Sequence, residues 1–229
     1  CWDEVTPDSA PQPLEAGIHV ASCGDIGAIA GAEEEGDLYP LVEAITGARV
    51  HFHVFLPSYC WPSPNPGMYG RYLDLEKRSQ FLHFHGSLPQ RRLQEMLERC
   101  SIGIHVVDAR LHLGADHPVI ERRAVDAGTS HRFFSYLDAG IPVILHDGRF
   151  NRWLCLRYGV GAIADPGLAA TPREWLDRFL ADAGMRARVV HARRLFSVRR
   201  HAPRLIRFYE RVSASGSSIF IQQVTPNCR

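Results

Sequence analysis

The chain has 229 residues, which at roughly 150 per domain allows one large domain or two small ones and excludes a two-domain enzyme of ordinary size. Apolar residues make up 45%, charged residues 22%, and the mean hydropathy is −0.15, the profile of a chain that buries a core rather than a disordered one. The 26 basic and 25 acidic residues leave a net charge of +1, so no global field draws in nucleic acid and any bound anion must be held by a local site.

Residues 1–16 carry Pro7, Pro11 and Pro13 among small and acidic residues and read as a linker or tail. The fold is expected over 17–212, with a second tail at 213–229. Six short apolar runs rich in β-branched and aromatic residues read as strands: Gly17–Cys23, Arg49–Leu56, Phe81–Phe84, Ile102–Val107, Pro142–Leu145 and Gly161–Ala164. Their alternation with helical patterns points to a parallel sheet with helices on both faces.

Among the helices, Ser87-Leu-Pro-Gln90 has the spacing of a capping box before an apolar stripe of Leu93, Met96, Leu97 and Cys100, which predicts a helix over 88–100. Further helices are expected from Gly148 to Tyr158, stopped by Gly159, at about 172–183 behind Thr171-Pro-Arg-Glu174, and from Ser197 to Val212. The Pro-rich stretch Pro57–Gly70 and the polar region 108–128 are expected to be long connections. The latter reads as a binding loop or mobile segment.

The six cysteines form no CxxC pair and several sit in apolar patterns, which predicts buried thiols, a reducing compartment and a cytoplasmic protein. No run approaches the roughly 18 apolar residues of a membrane span, and no signal-peptide pattern opens the chain. Because it begins at Cys1, it reads as a processed product or part of something longer.

The strongest local feature runs from Thr129 through Ser130, Arg132, Ser135 and Tyr136 to Gly140, Pro142 and Ile144. It predicts a helix of about ten residues, closed by glycine and followed by a strand. Free amides at the helix start, two hydroxyls and Arg132 would together suit an anion, phosphate above all. The plainer alternative is an ordinarily capped helix with a surface arginine.

This segment resembles the donor-site motif of two-lobed Rossmann-type (GT-B) glycosyltransferases, particularly the family 4 type, through Arg132-Phe-Phe-Ser-Tyr136 and the run Leu-Asp-Ala-Gly-Ile-Pro-Val143. Phe84-His85-Gly86, the helix to Cys100, Gly159-Val-Gly161 and the closing helix resemble other parts of that family in the same order, over roughly residues 17–212. The resemblance implies a Rossmann-like three-layer αβα sandwich with strand order 3-2-1-4-5, the single donor-binding lobe of a GT-B enzyme. Its ligand would be a nucleotide sugar such as a UDP- or GDP-sugar, as substrate and with no cofactor or metal, and its partner an N-terminal acceptor-binding lobe.

Carried over residue by residue, Gly24 would let the backbone approach the phosphates or sugar. His85 and Gly86 would lie beside the base, Thr129, Ser130 and Arg132 would hold the diphosphate, and Ser135 and Tyr136 would lie along the donor. The family's two acids would fall at 127 and 135, where this chain has Ala127 and Ser135; Ser135 offers the ribose a weaker, shorter acceptor, while Asp126 and Glu121 stand nearby in the chain.

Two other classes remain open. Ala127 and Ser135 suit a degenerate, non-catalytic interaction module. The pairs His51-Phe-His53 and His83-Phe-His85 each put two imidazoles on one strand face, and converging imidazoles would suit a metal-dependent hydrolase, although histidines satisfied within a sheet are the commoner arrangement. Gly24-Asp-Ile-Gly27 with Gly31 is a poor dinucleotide fingerprint, since it lacks the GxGxxG spacing and is followed by three glutamates.

Overall fold

The structure, a computed structural model, describes residues 14, 16–24, 26, 38–57, 66–106 and 131–216. All six predicted strands form: β1 (His19–Cys23), β2 (His51–Phe55), β3 (Leu82–His85), β4 (Ile102–His105), β5 (Val143–Leu145) and β6 (Gly161–Ile163). They make one sheet in the order β3-β2-β1-β4-β5-β6 with every neighbouring pair parallel. The expected order 3-2-1-4-5 is therefore observed and extended by one strand.

Nine helices lie among the described residues: α1 (Tyr39–Gly47), α2 (Pro66–Arg78), α3 (Gln90–Glu98), α4 (His131–Asp138), α5 (Arg149–Tyr158), α6 (Pro166–Ala170), α7 (Pro172–Leu180), α8 (Met185–Phe196) and α9 (Val198–Gly216). Strand alternation sorts the core into two layers. Val20, Phe52, Val54, Leu82, Ile102, Ile104 and Ile144 pack against α1, α2, α6 and α7 on one face. Ala21, Cys23, Phe55, Val143 and Leu145 pack against α3, α4, α5 and α8 on the other. The result is the three-layer αβα sandwich.

Several local expectations are corrected. The connection expected over Pro57–Gly70 gives way to helix at Pro66, because proline is compatible with a first helical turn and Tyr69, Tyr72 and Leu75 bury a stripe behind it. The predicted capping box at Ser87 does not form: α3 starts two residues later than expected, behind Pro89, with no side-chain cap. Thr171 does precede α7, but its hydroxyl donates back to the Gly167 carbonyl at 3.4 Å, since α6 ends immediately before it. There the cap is Asp165, which accepts from Gly167 N at 2.8 Å and from the Trp175 indole. The last helix runs on to Gly216.

Candidate functional site

In a parallel sheet of this order, the strands on either side of β1 run to helices on opposite faces, so a crevice opens at the carboxyl ends of β1 and β4. The ladder between those strands pairs only Val20 with Ile102 and Ala21 with Gly103. Beyond it, the Tyr136 hydroxyl closes the gap: it accepts from Cys23 N at 2.9 Å and donates to the Ile104 carbonyl at 2.9 Å. Two backbone groups left over by the diverging strands are thus satisfied by one phenol.

The ring of Tyr136 has room only because residue 103 is glycine; a Cβ there would come within 2.3 Å of a ring carbon. Tyr136 is fully buried, and burial raises its pKa well above the ordinary 10. It therefore acts as a strut for the crevice.

One turn earlier on α4, Arg132 shares the face of Tyr136. Its guanidinium covers Gly24, where a Cβ would come within 2.6 Å of Nη2. Gly24 adopts φ +96, a conformation that glycine takes freely, and its N–H donates to the Phe55 carbonyl at 2.8 Å. The ring of Phe55 in turn stacks on His85, with centroids 4.6 Å apart. The structure thus brings Arg132 onto Gly24 and links Gly24 through Phe55 to His85 along one edge, with Gly86 following His85.

The remaining predicted residues divide. Thr129 and Ser130 lie outside the described residues, as do Ala127, Asp126, Glu121, the loop 108–128 and the turn from Gly27 to Glu35. Ser135 is half-buried and its hydroxyl donates back to the His131 carbonyl at 3.4 Å. His85 has its Nε2 engaged with His53 Nδ1 at 2.9 Å, and burial, with His83 beside it, lowers its pKa to about 4.

Sequence reading did not assign the polar group that ends β4 and β5. His105 and His146 are buried and pack edge to face at 5.2 Å. Asn151, fully buried in the first turn of α5, donates to His146 Nε2 at 3.1 Å and to the His146 carbonyl at 3.1 Å. His146 Nε2 is thereby the acceptor nitrogen of a neutral ring. Burial lowers the His105 pKa to about 3, with His146, Arg132 and His131 adding repulsion. Both histidines were visible next to predicted strands; Asn151 gave no signal.

Among the described residues, cysteine offers no nucleophile. Burial pushes the thiols of Cys23, Cys100 and Cys155 up to about 12, so at neutral pH they are inert. The strand histidines pair with one another, and no group of three or more His, Cys, Asp or Glu among the described residues could hold a metal ion. The hydrolase alternative therefore has no ligand set among them. No described helix is long and apolar enough to cross a membrane.

No protein-family model matches the chain, and no curated protein matches its sequence. Solved structures do match. AviGT4, a glycosyltransferase involved in avilamycin A biosynthesis, aligns at 15% identity and TM-score 0.54, over 90% of this chain and 53% of its own. The Anabaena protein HepE, solved with UDP and glucose, aligns at 12% identity and TM-score 0.51, over 89% of this chain and 49% of its own. The pneumococcal O-GlcNAc transferase GtfA, solved with UDP and GlcNAc, aligns at 12% identity and TM-score 0.51, over 90% of this chain and 38% of its own. The chain spans about half the length of these structures, or less. Its six-stranded parallel lobe has the fold of one lobe of a GT-B glycosyltransferase.

Proposed function

We propose that this chain is the donor-binding lobe of a GT-B glycosyltransferase, taking the nucleoside diphosphate part of a sugar donor at the carboxyl ends of β1 and β4. The observation that carries the reading is Arg132 held by α4 directly over Gly24. A guanidinium there can fork onto phosphate oxygens, and the missing Cβ at residue 24 is what leaves room for it. Neutralising the diphosphate makes it a better leaving group as the bond to the sugar breaks. Two of the matched structures hold UDP with a sugar, which supports a uridine nucleotide as the first candidate.

Gly86 and His85 would border the base, and Thr129 and Ser130, just before α4, would add amide and hydroxyl donors to the phosphates. Transfer would require an acceptor-binding lobe supplied by a longer protein. Buried, inert thiols suit a reducing, cytoplasmic setting. In a thermal-unfolding panel of UDP, GDP, ADP and TDP, a nucleotide at 100 times its dissociation constant should stabilise by about 2.7 kcal/mol. Arg132→Ala should weaken the diphosphate far more than the nucleoside; equal loss for both would remove Arg132 from the phosphate site.

A second reading rests on Ser135, whose hydroxyl bonds back into its own helix where the family places an acid. On that reading the lobe is a degenerate interaction module. Ser135→Glu separates the two: nucleotide binding that appears only in this variant favours the degenerate lobe, and binding already present in the natural chain favours the donor site.

A further inference from the structure

The sheet face that carries Ala21, Cys23 and Phe55 also carries five histidines on three adjacent strands. They form two hydrogen-bonded lines. In one, His19 Nδ1 meets His53 Nε2 at 2.9 Å and His53 Nδ1 meets His85 Nε2 at 2.9 Å. In the other, His51 Nδ1 meets His83 Nε2 at 2.9 Å. Rings in register across the strands also stack, His19 on His51 at 4.4 Å and His53 on His83 at 4.6 Å. The array ties β3, an edge strand, to β2 and β1.

Proton counting limits what this array tolerates. Each ring–ring contact holds one proton, because a donor must face an acceptor. The three-ring line has two contacts and two outer nitrogens, so it accepts at most four protons, one more than its neutral state. The two-ring line accepts at most three, again one more than neutral. Any further proton sets N–H against N–H at 2.9 Å. One charge on each line already places imidazolium beside imidazole in stacked contact, and the two charges repel across as little as 4.4–6.4 Å.

Among the described residues, no carboxylate acts on His53 or His85. The groups acting electrostatically on His53 are His83, His85, His19 and His51, and on His85 the acting group is His83. From α3, which lays Leu93, Met96 and Leu97 on this face, Glu95 is paired with Arg91 and Arg92, and Glu98 has a buried Oε1 with no hydrogen-bond partner. From α2, Glu76 is committed to the edge, accepting from Phe84 N at 2.7 Å.

We propose that this histidine array is an acid-operated latch, which holds β3 and the corner at His85 onto β2 and β1 while the rings are neutral and releases them as the rings gain protons. Released rings regain the ordinary affinity of imidazole for protons, near 6.5, so each one freed favours the open form by about tenfold per pH unit below that value. The released corner includes Phe55, whose carbonyl holds Gly24 and whose ring holds His85. The latch is independent of the donor-site reading and is tested without any nucleotide.

Hydrogen–deuterium exchange of the whole chain, corrected for intrinsic rates, compares peptides of β2 and β3 with α7, which contains no histidine. Between about pH 7 and pH 5, protection of β2 and β3 should fall at least about tenfold more than that of α7. The double variant His51→Phe with His83→Phe keeps aromatic rings in the stack and removes the shorter line, and its excess loss should be smaller. A parallel loss in α7, or a variant with the full excess, overturns the proposal. Should the variant not fold, ring-nitrogen NMR of the natural chain decides. Five rings titrating independently near 6.5 with the strands intact overturn the latch, while rings that stay neutral until β3 opens support it.

Discussion

One face of the sheet is built in two different materials. Around β4 and β5 it is closely fitted and apolar up to the polar group at the strand ends: Val143 and Leu145 meet α4 and α5, and the Tyr136 ring packs against Gly103 with its hydroxyl lacing β1 to β4. Around β2 and β3 the same face is imidazole, joined ring to ring. Apolar contact is indifferent to pH, whereas a buried neutral histidine holds only while water offers few protons. A single lobe thus has a rigid side, which positions Arg132, and a side whose strength depends on pH.

Acid should expose this difference most strongly. On the imidazole side, burial lowers the pKa of His53 to about 2 and that of His85 to about 4. The unfolded chain, with histidines near 6.5, therefore takes up protons first. The stability contributed by these histidines should be complete above about pH 7 and should fall as pH drops through 6.5 toward the folded values. By pH 4.5 the buried His53 alone should have cost about 3 kcal/mol, a large part of the 5–15 kcal/mol typical of a domain. Denaturant midpoints measured from pH 7.5 to 4.5 check this; a flat profile would break the comparison.

The rigid side should fail through packing instead. Tyr136→Phe leaves Cys23 N and the Ile104 carbonyl buried without their shared partner and should cost about 2–3 kcal/mol at every pH, read as a shifted denaturant midpoint. Gly103→Ala forces the Tyr136 ring off the strand, with an expected loss of about 1–3 kcal/mol. In that variant Arg132 should also be displaced, so nucleotide affinity should fall along with stability. Smallest of all, Asp147→Ala removes the partner of Arg152, a pair joined at 2.5 Å on the surface, and should change stability by no more than about 1 kcal/mol.

The strands were legible as short runs rich in β-branched and aromatic residues, while their order was expected from the resemblance to GT-B lobes. Helix α2 was hidden by Pro66, Gly67 and Gly70, which read as turn residues although proline suits a helix start. The strut role of Tyr136 depends on Gly103, 33 residues earlier in the chain, and a role set by a distant residue leaves no local pattern. The imidazole lines were half legible. Alternation put His51 with His53 and His83 with His85 on shared faces, but the bonds between strands follow from register, which only the fold supplies. Ser135 is the converse case: the absent acid was visible in the sequence, and the structure adds that its hydroxyl turns back into α4.

The donor site at Arg132 is tested most directly by calorimetric titration of UDP and GDP into the natural chain and into Arg132→Ala at neutral pH. Saturable binding of at least one diphosphate by the natural chain, weakened at least about tenfold in the variant and thus by about 1.4 kcal/mol or more, is the predicted result. Equal binding by both proteins, or none to either nucleotide, would contradict it.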